Sequence, residues 1–270
     1  MNIKIKHLYP DFLNLYGDKG NIAALKMRCE WRGIDVFVDN MTKDNFSLED
    51  CDLLLLGGGY EREQKIVLKE LKEFKDDIKK YIENSKCMLA LCGGFEMLGS
   101  YSNSDEGLCI LDINTSLKNK RLMGDVLMNC SIDSQNFDIA GFENHAGRVD
   151  IKNYTPLGRI KHGFGNDDSS AFEGLIYKNL IATHLHGPLL PKNPVLTDFI
   201  ISRILKSKYE SFVSLEPLDD SFEQEAYSNI MLKLSEKWKY FQKFSTLNPL
   251  TVIHICGKLV ENPKFIHGFW

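Results

Sequence analysis

Lys86 to Gly99 reads KCMLALCGGFEMLG. Met88-Leu89-Ala90-Leu91 is an apolar run long enough for a buried strand. Cys92 and two glycines follow, then the apolar-spaced Phe95, Met97 and Leu98. The order is strand, abrupt turn, helix, with Cys92 at the turn, which is the build of a nucleophile elbow. The glycines allow a reversal where a Cβ would clash. A thiol at a helix start feels the helix dipole, which favours thiolate. The competing reading is a buried structural cysteine, the commoner fate of a free thiol.

Upstream of this stretch the pattern is βαβ(α)βα. Ile3 to Leu8 alternates as a first strand, and Ile22 to Arg32 reads as a helix ended by Gly33. Between them lies the turn-rich loop Leu13 to Asn21. Asp18 or Asn21 could cap the helix, or the loop could face a ligand. Ile34 to Val38 is a second strand. Asp52 to Leu56 is a third, uniformly apolar as a parallel strand buried on both faces would be. It runs into Gly57-Gly58-Gly59-Tyr60, whose bare backbone N–H groups suit an oxyanion. No GxxxxGK[ST] is present, so nucleotide binding is discounted. Glu63 to Ser85 reads as one charged amphipathic helix. The whole predicts an α/β fold with an open, mostly parallel sheet flanked by helices. The Gly57–Gly59 loop and Cys92 both fall at carboxyl ends of strands, where such folds place ligands.

Downstream, Leu108 to Val149 carries short alternating segments, among them Leu122 to Met128 and Phe137 to Ala140. These predict an antiparallel extension. Gly141 to Arg148 reads as a polar loop in which His145 orients the chain more readily than it catalyses. Gly158 to Gly174 reads as an exposed loop or hairpin. Leu180 to Pro188 ends a further strand. Alternation puts His184 and His186 on one face, so one of them is a candidate base for Cys92. A helix over Val195 to Ser207 follows Asn193-Pro194, and another runs from Leu218-Asp219-Asp220-Ser221 to Leu234. The proposed partition is 1–206, a capping segment 207–236 and an extension 237–270. In the extension Thr251 to Val260 could form a strand or hairpin, and the aromatics include Trp238, Tyr240, Phe241, Phe269 and Trp270.

Bulk properties narrow the function. The formal net charge of −4 gives no footprint for nucleic acid. No apolar run approaches the ~18 residues of a membrane span, and the opening residues MNIKIKHLYPDF lack a signal-peptide core. Seven cysteines without framework spacing or CxxC point to a reducing cytoplasm. The seven histidines form no HExxH and no cluster with cysteines, so no metal site is expected.

Three stretches together carry a resemblance: LLLLGGGYERE, LALCGGFEMLG and THLHGPLLPKNP. They resemble class I glutamine amidotransferases of the cobyric-acid-synthase-like branch, a flavodoxin-like three-layer fold. LNLYGDKGNI, GFENHAGR and LEPLDDSFEQEA narrow the resemblance to the GatD family, the glutaminase subunit of lipid II isoglutaminyl synthase. It covers about residues 1–236. The resemblance implies Cys92 as nucleophile, His186 as base, backbone N–H groups of Gly59 and Gly93 for the oxyanion, and Arg121 on the α-carboxylate of L-glutamine. It also implies delivery of ammonia to a Mur-ligase-like subunit in a heterodimer acting on lipid II. ATP and Mg would lie on that partner, with no cofactor on this chain. Departures are Glu96 in place of the Gln of CxGxQ, Pro188 where an HxE glutamate would stand, His184 for a common Tyr and Ala146 for a common Gly. Glu96 could repel the substrate carboxylate, be protonated or face away. The alternatives are a non-catalytic structural subunit, a corrinoid amidotransferase component and an unrelated thiol hydrolase.

Overall fold

A computed structural model describes residues 1–102 and 107–245, with side chains as far as Leu234. The elements, in chain order, are β1 (Asn2–Leu8), α1 (Lys19–Glu30), β2 (Asp35–Met41), β3 (Leu53–Leu56), α2 (Glu61–Leu71), α3 (Lys75–Glu83), β4 (Cys87–Leu91) and α4 (Gly93–Met97). Then come β5 (Ser100–Tyr101), β6 (Asn114–Ile132), β7 (Gln135–Asp150), β8 (Gly158–His162), β9 (Phe172–Glu173), β10 (Leu175–Tyr177), β11 (Leu180–Thr183), α5 (Pro194–Lys208) and α6 (Ser221–Ser245). Contacts divide the chain into a unit Met1–Tyr227 and a second beginning at Ser228, so α6 crosses the boundary. The strand or hairpin expected over Thr251 to Val260 lies outside the described residues.

The expected α/β architecture is present. Six strands lie in the order β10-β11-β4-β3-β1-β2, all parallel except β10. Leu53 to Leu56 and Cys87 to Leu91 are buried throughout, because helices or the second sheet cover both faces. One apolar cluster joins β1, β3 and β4 to α1 and α5; the other joins them to α2 and α3. Register aligns the strand ends, with Leu56 beside Ala90 and Leu91 beside Thr183. A second sheet is built on the β6–β7 hairpin, with β8 and β5 against β6 and β9 against β8.

Several local expectations give way. The helix over 63–85 is two helices joined by a 3₁₀ turn at Lys72–Phe74, where Phe74 stacks on Phe46 with ring centroids 3.9 Å apart. The short strands after Leu108 are two long ones, of 19 and 16 residues. Gly141 to Arg148 is not a loop: it lies within β7. Its period of two survives, but Glu143 and His145 take the inward positions in place of apolar residues. Neither Asp18 nor Asn21 caps α1 through its side chain. Asp18 Oδ2 accepts the Gly58 N–H at 2.8 Å, and Asn21 Oδ1 accepts the Leu190 N–H at 2.8 Å. Loop 13–21 is thereby tied to both strand-end loops.

On the far side of α1, Arg28 is 4% exposed and forks onto Asp198 of α5 and onto Asp220. Arg32 also reaches Asp198. Arg28→Ala would leave two carboxylates short of their buried cation. The expected loss is about 3 kcal/mol, at the low end for breaking a buried pair because both aspartates keep some solvent. It should appear as a lower urea midpoint with an unchanged slope.

Candidate active site

Cys92 occupies the turn between β4 and α4 at φ 49°, ψ −112°, a conformation costly for a residue with a Cβ. Its N–H donates to Thr183 O at 2.8 Å, which anchors the turn to the end of β11. Gly94 passes so close to β3 that a Cβ would meet Leu56 O at 2.3 Å, so only glycine fits. The thiol is buried. Burial first, then the Glu96 and Asp18 carboxylates, push its pKa up. That corrects the expectation of a dipole-favoured thiolate. The helix behind Cys92 has five residues, too short to outweigh desolvation and two nearby anions.

A cavity of about 590 Å³ opens beside Cys92. Gln64, Glu96, Arg121, His145 and Gly147 are among its lining residues; His186, Gly59 and Gly93 are not. Arg121 lies in the irregular stretch of β6 between Leu117 and Leu122. Its guanidinium donates to Asn144 Oδ1 and Asn144 O, both at 2.6 Å. Arg148 braces the same stretch by donating to Lys120 O at 2.9 Å. Gln64 gave no signal in the sequence. Its Nε2 donates to Gly59 O at 2.7 Å, and its amide packs against Gly93, so one side chain touches both expected oxyanion residues. The planar peptide between Gly58 and Gly59 is oriented by Leu15 N–H, which donates to Gly58 O at 3.0 Å. The Gly59 N–H therefore points away from loop 13–21.

His184 and His186 do not share a face by strand alternation, because β11 ends at Thr183. His186 instead pairs its backbone with Phe142 of β7. Its ring is 1% exposed and stacks on Tyr16, with centroids 3.7 Å apart and planes 4° apart. Neither ring nitrogen has a hydrogen-bond partner among the described residues. Burial, helped by the charges of neighbouring histidines, Lys192 and Arg121, holds its pKa down at about 3. A neutral imidazole and a neutral thiol are thus the resting forms.

His184 sits inside a buried polar group. Its Nε2 is 3.6 Å from Glu96 and its Nδ1 3.6 Å from Glu173. Glu173 also accepts the Thr183 hydroxyl at 2.6 Å and the His184 N–H at 2.7 Å. Burial disfavours the imidazolium, but the Glu173 and Glu96 carboxylates outweigh it and raise the pKa to about 9. Glu96 therefore does not face away: it borders the cavity, with its carboxyl group beside His184. The His145 ring stacks on His184 at 3.8 Å and is held by Gly147 O and Glu143. Glu96, His145 and His184 lie close enough to suggest a metal site. The geometry is wrong for one, because the two rings are parallel within 7° and their in-plane lone pairs cannot converge on a single ion.

The sign of the His184 contribution follows from its raised pKa. It stabilises the fold fully below about pH 6.5 and is lost as pH rises through about 9. Glu173→Gln removes a counter-charge. Its melting temperature should fall by roughly 4 °C or more near pH 7, and the alkaline decline should begin at lower pH. Parallel curves for both proteins between pH 6 and 10 would show that His184 carries no proton.

Comparison with known proteins agrees with this architecture. A model of the CobB/CobQ-like glutamine amidotransferase domain matches residues 4–194. The lipid II isoglutaminyl synthase (glutamine-hydrolyzing) subunit GatD of Staphylococcus aureus (strain N315) is 41% identical over 213 residues, covering 76% of this chain and 86% of that protein. The GatD subunit of Streptococcus pneumoniae (strain ATCC BAA-255 / R6) is 36% identical over 244 residues, covering 86% and 92%. Among solved structures, a chain of PurLQS from Thermotoga maritima superposes with a TM-score of 0.55 at 17% identity, over 77% of this chain and 99% of that one, which speaks for the fold alone. A family model matched over most of the length, joined by two relatives above 35% identity over at least three quarters of this chain, leads to one conclusion: the chain belongs to the CobB/CobQ-like glutamine amidotransferase family.

Proposed function

We propose that this chain is the glutaminase subunit of a two-protein ligase that amidates the peptidoglycan stem peptide. The observation that carries the reading is Cys92, held at a strained strand-end turn beside a cavity that Arg121 also lines. The names of the two GatD relatives support the same acceptor.

Arg121 turns its guanidinium fork to the α-carboxylate of L-glutamine, a geometry suited to two parallel charge-assisted bonds. Cys92 Sγ then bonds to the side-chain amide carbon while its proton passes to neutral His186. The carbonyl electrons move to an oxyanion held by the Gly59 and Gly93 N–H groups. The C–N bond breaks, His186 returns the proton to the leaving nitrogen, and ammonia departs. Water attacks the γ-glutamyl thioester with His186 again as base, releasing glutamate and restoring the thiol. Burial raises the thiol pKa and lowers that of the imidazole, so both rest neutral before substrate arrives.

Ammonia in neutral water is mostly ammonium, which is not a nucleophile. A Mur-ligase-like partner therefore receives it along a closed path. The partner holds ATP and Mg and activates the α-carboxylate of the D-glutamate in lipid II. In this reading the heterodimer works in the cytoplasm, the compartment to which cysteines without framework spacing point.

The decisive assay is glutamate release from L-glutamine, by the chain alone and with its Mur-ligase-like protein. Cys92→Ala should abolish it. A folded, associated complex that releases no glutamate would sink the enzymatic reading. Arg121→Lys keeps the charge but loses the fork, so KM should rise roughly ten- to hundredfold with a smaller change in kcat, the worth of about one charged hydrogen bond.

A further inference from the structure

Loop 13–21 is held on both flanks. Leu15 N–H and Asp18 grip Gly58, Asn21 grips Leu190, and Gly20 lies against the Pro188 ring with no room for a Cβ. Rigid anchors on the oxyanion-side loop and on the histidine-side loop leave Tyr16 in a fixed place between them. Its ring lies flat on His186 at 3.7 Å. Its hydroxyl is 3.4 Å from Asn144 O, the atom that also receives Arg121. Phe142 meets the His186 ring at 58°, so the one parallel ring contact described for His186 is with Tyr16. Among the described residues His186 has no hydrogen bond at either nitrogen to fix its plane, in contrast to His145.

We propose that Tyr16 is a positioning residue for His186: its stacked ring sets the plane in which the two imidazole nitrogens lie and keeps water off that face. The proposal rests on His186 being the base of the reaction above. It does the work that a hydrogen-bonded third residue does in a triad, but by ring contact. The hydroxyl is secondary, because it reaches the substrate clamp and not the imidazole.

The test compares planar and non-planar replacements under the conditions in which wild type releases glutamate. Tyr16→Phe keeps the stack, and kcat should stay within about twofold. Tyr16→Leu removes it, and kcat should fall about 10- to 100-fold, the scale for a misplaced catalytic group, with KM little changed. The pH profile supplies a readout that mere structural support would leave alone. The charged and titratable groups that act on His186 are His145, His184, Lys192 and Arg121, all kept by the substitution, and Tyr16 itself, whose phenol Tyr16→Phe removes while keeping the ring. Rehydrating the ring relieves its desolvation, so the acid limb should move up by roughly one unit or more. Histidine NMR on wild type is independent of turnover: stacking should shift the His186 ring protons upfield relative to Tyr16→Leu or, if that variant unfolds, relative to a histidine in unfolded chain. Unshifted ring protons in wild type would overturn the proposal, as would a folded Tyr16→Leu matching Tyr16→Phe in both kcat and acid limb. His186→Ala separates the two claims, since its full activity would remove the base reading itself, while its inactivity leaves Tyr16 to be judged by the other arms.

Discussion

The backbone at Cys92 is the constraint on which the site depends. A side-chain-bearing residue held at φ 49°, ψ −112° stores about 1–3 kcal/mol. The surroundings hold it there: Thr183 O takes the Cys92 N–H, and Gly94 presses against Leu56 O. Those grips come from β3 and β11, the two neighbours of β4 in the parallel sheet. Because parallel strands end on the same side, the glycine loop, the thiol and the histidine segment arrive together.

The second sheet contributes electrostatics. Glu143 and His145 from β7 and Glu173 from β9 are buried side by side with the end of β11. Each acid there meets donors: Glu143 accepts the Phe164 and Gly165 N–H groups, and Glu173 accepts the Thr183 hydroxyl and the His184 N–H. Glu96 and His184, two separate oddities along the chain, are one acid–base feature in space. The Glu173 and Glu96 carboxylates raise the pKa of His184, while burial lowers those of His145 and His186.

The sequence was most legible where strands are buried on both faces. Leu53–Leu56 and Met88–Leu91 advertise themselves as unbroken apolar runs, and the glycines after them mark turns. It was least legible in β7, where inward positions carry Glu143 and His145. Alternation equates inward with apolar, whereas Glu143 is admitted because the distant Phe164 and Gly165 N–H groups satisfy it, and His145 because Gly147 O and Glu143 hold its ring. Loop 13–21 was open for a similar reason, since Asp18 and Asn21 look like helix caps until Gly58 and Leu190 arrive to claim them. Tyr16 stood in a quoted stretch without a role and Gln64 in none, because a ring stack and an amide contact have no spacing rule.

By itself, the sequence determined the layer order, the strand-end position of Cys92 and the glycine loops, since burial and turn chemistry act over a few neighbouring residues. Only the tertiary structure decided which carboxylates flank His184, what Glu96 faces, and that Tyr16 covers His186. Those depend on distances between residues as far apart in the chain as Tyr16 and His186. Desolvation and Coulomb interaction are set by which groups folding brings together, and no local pattern records that.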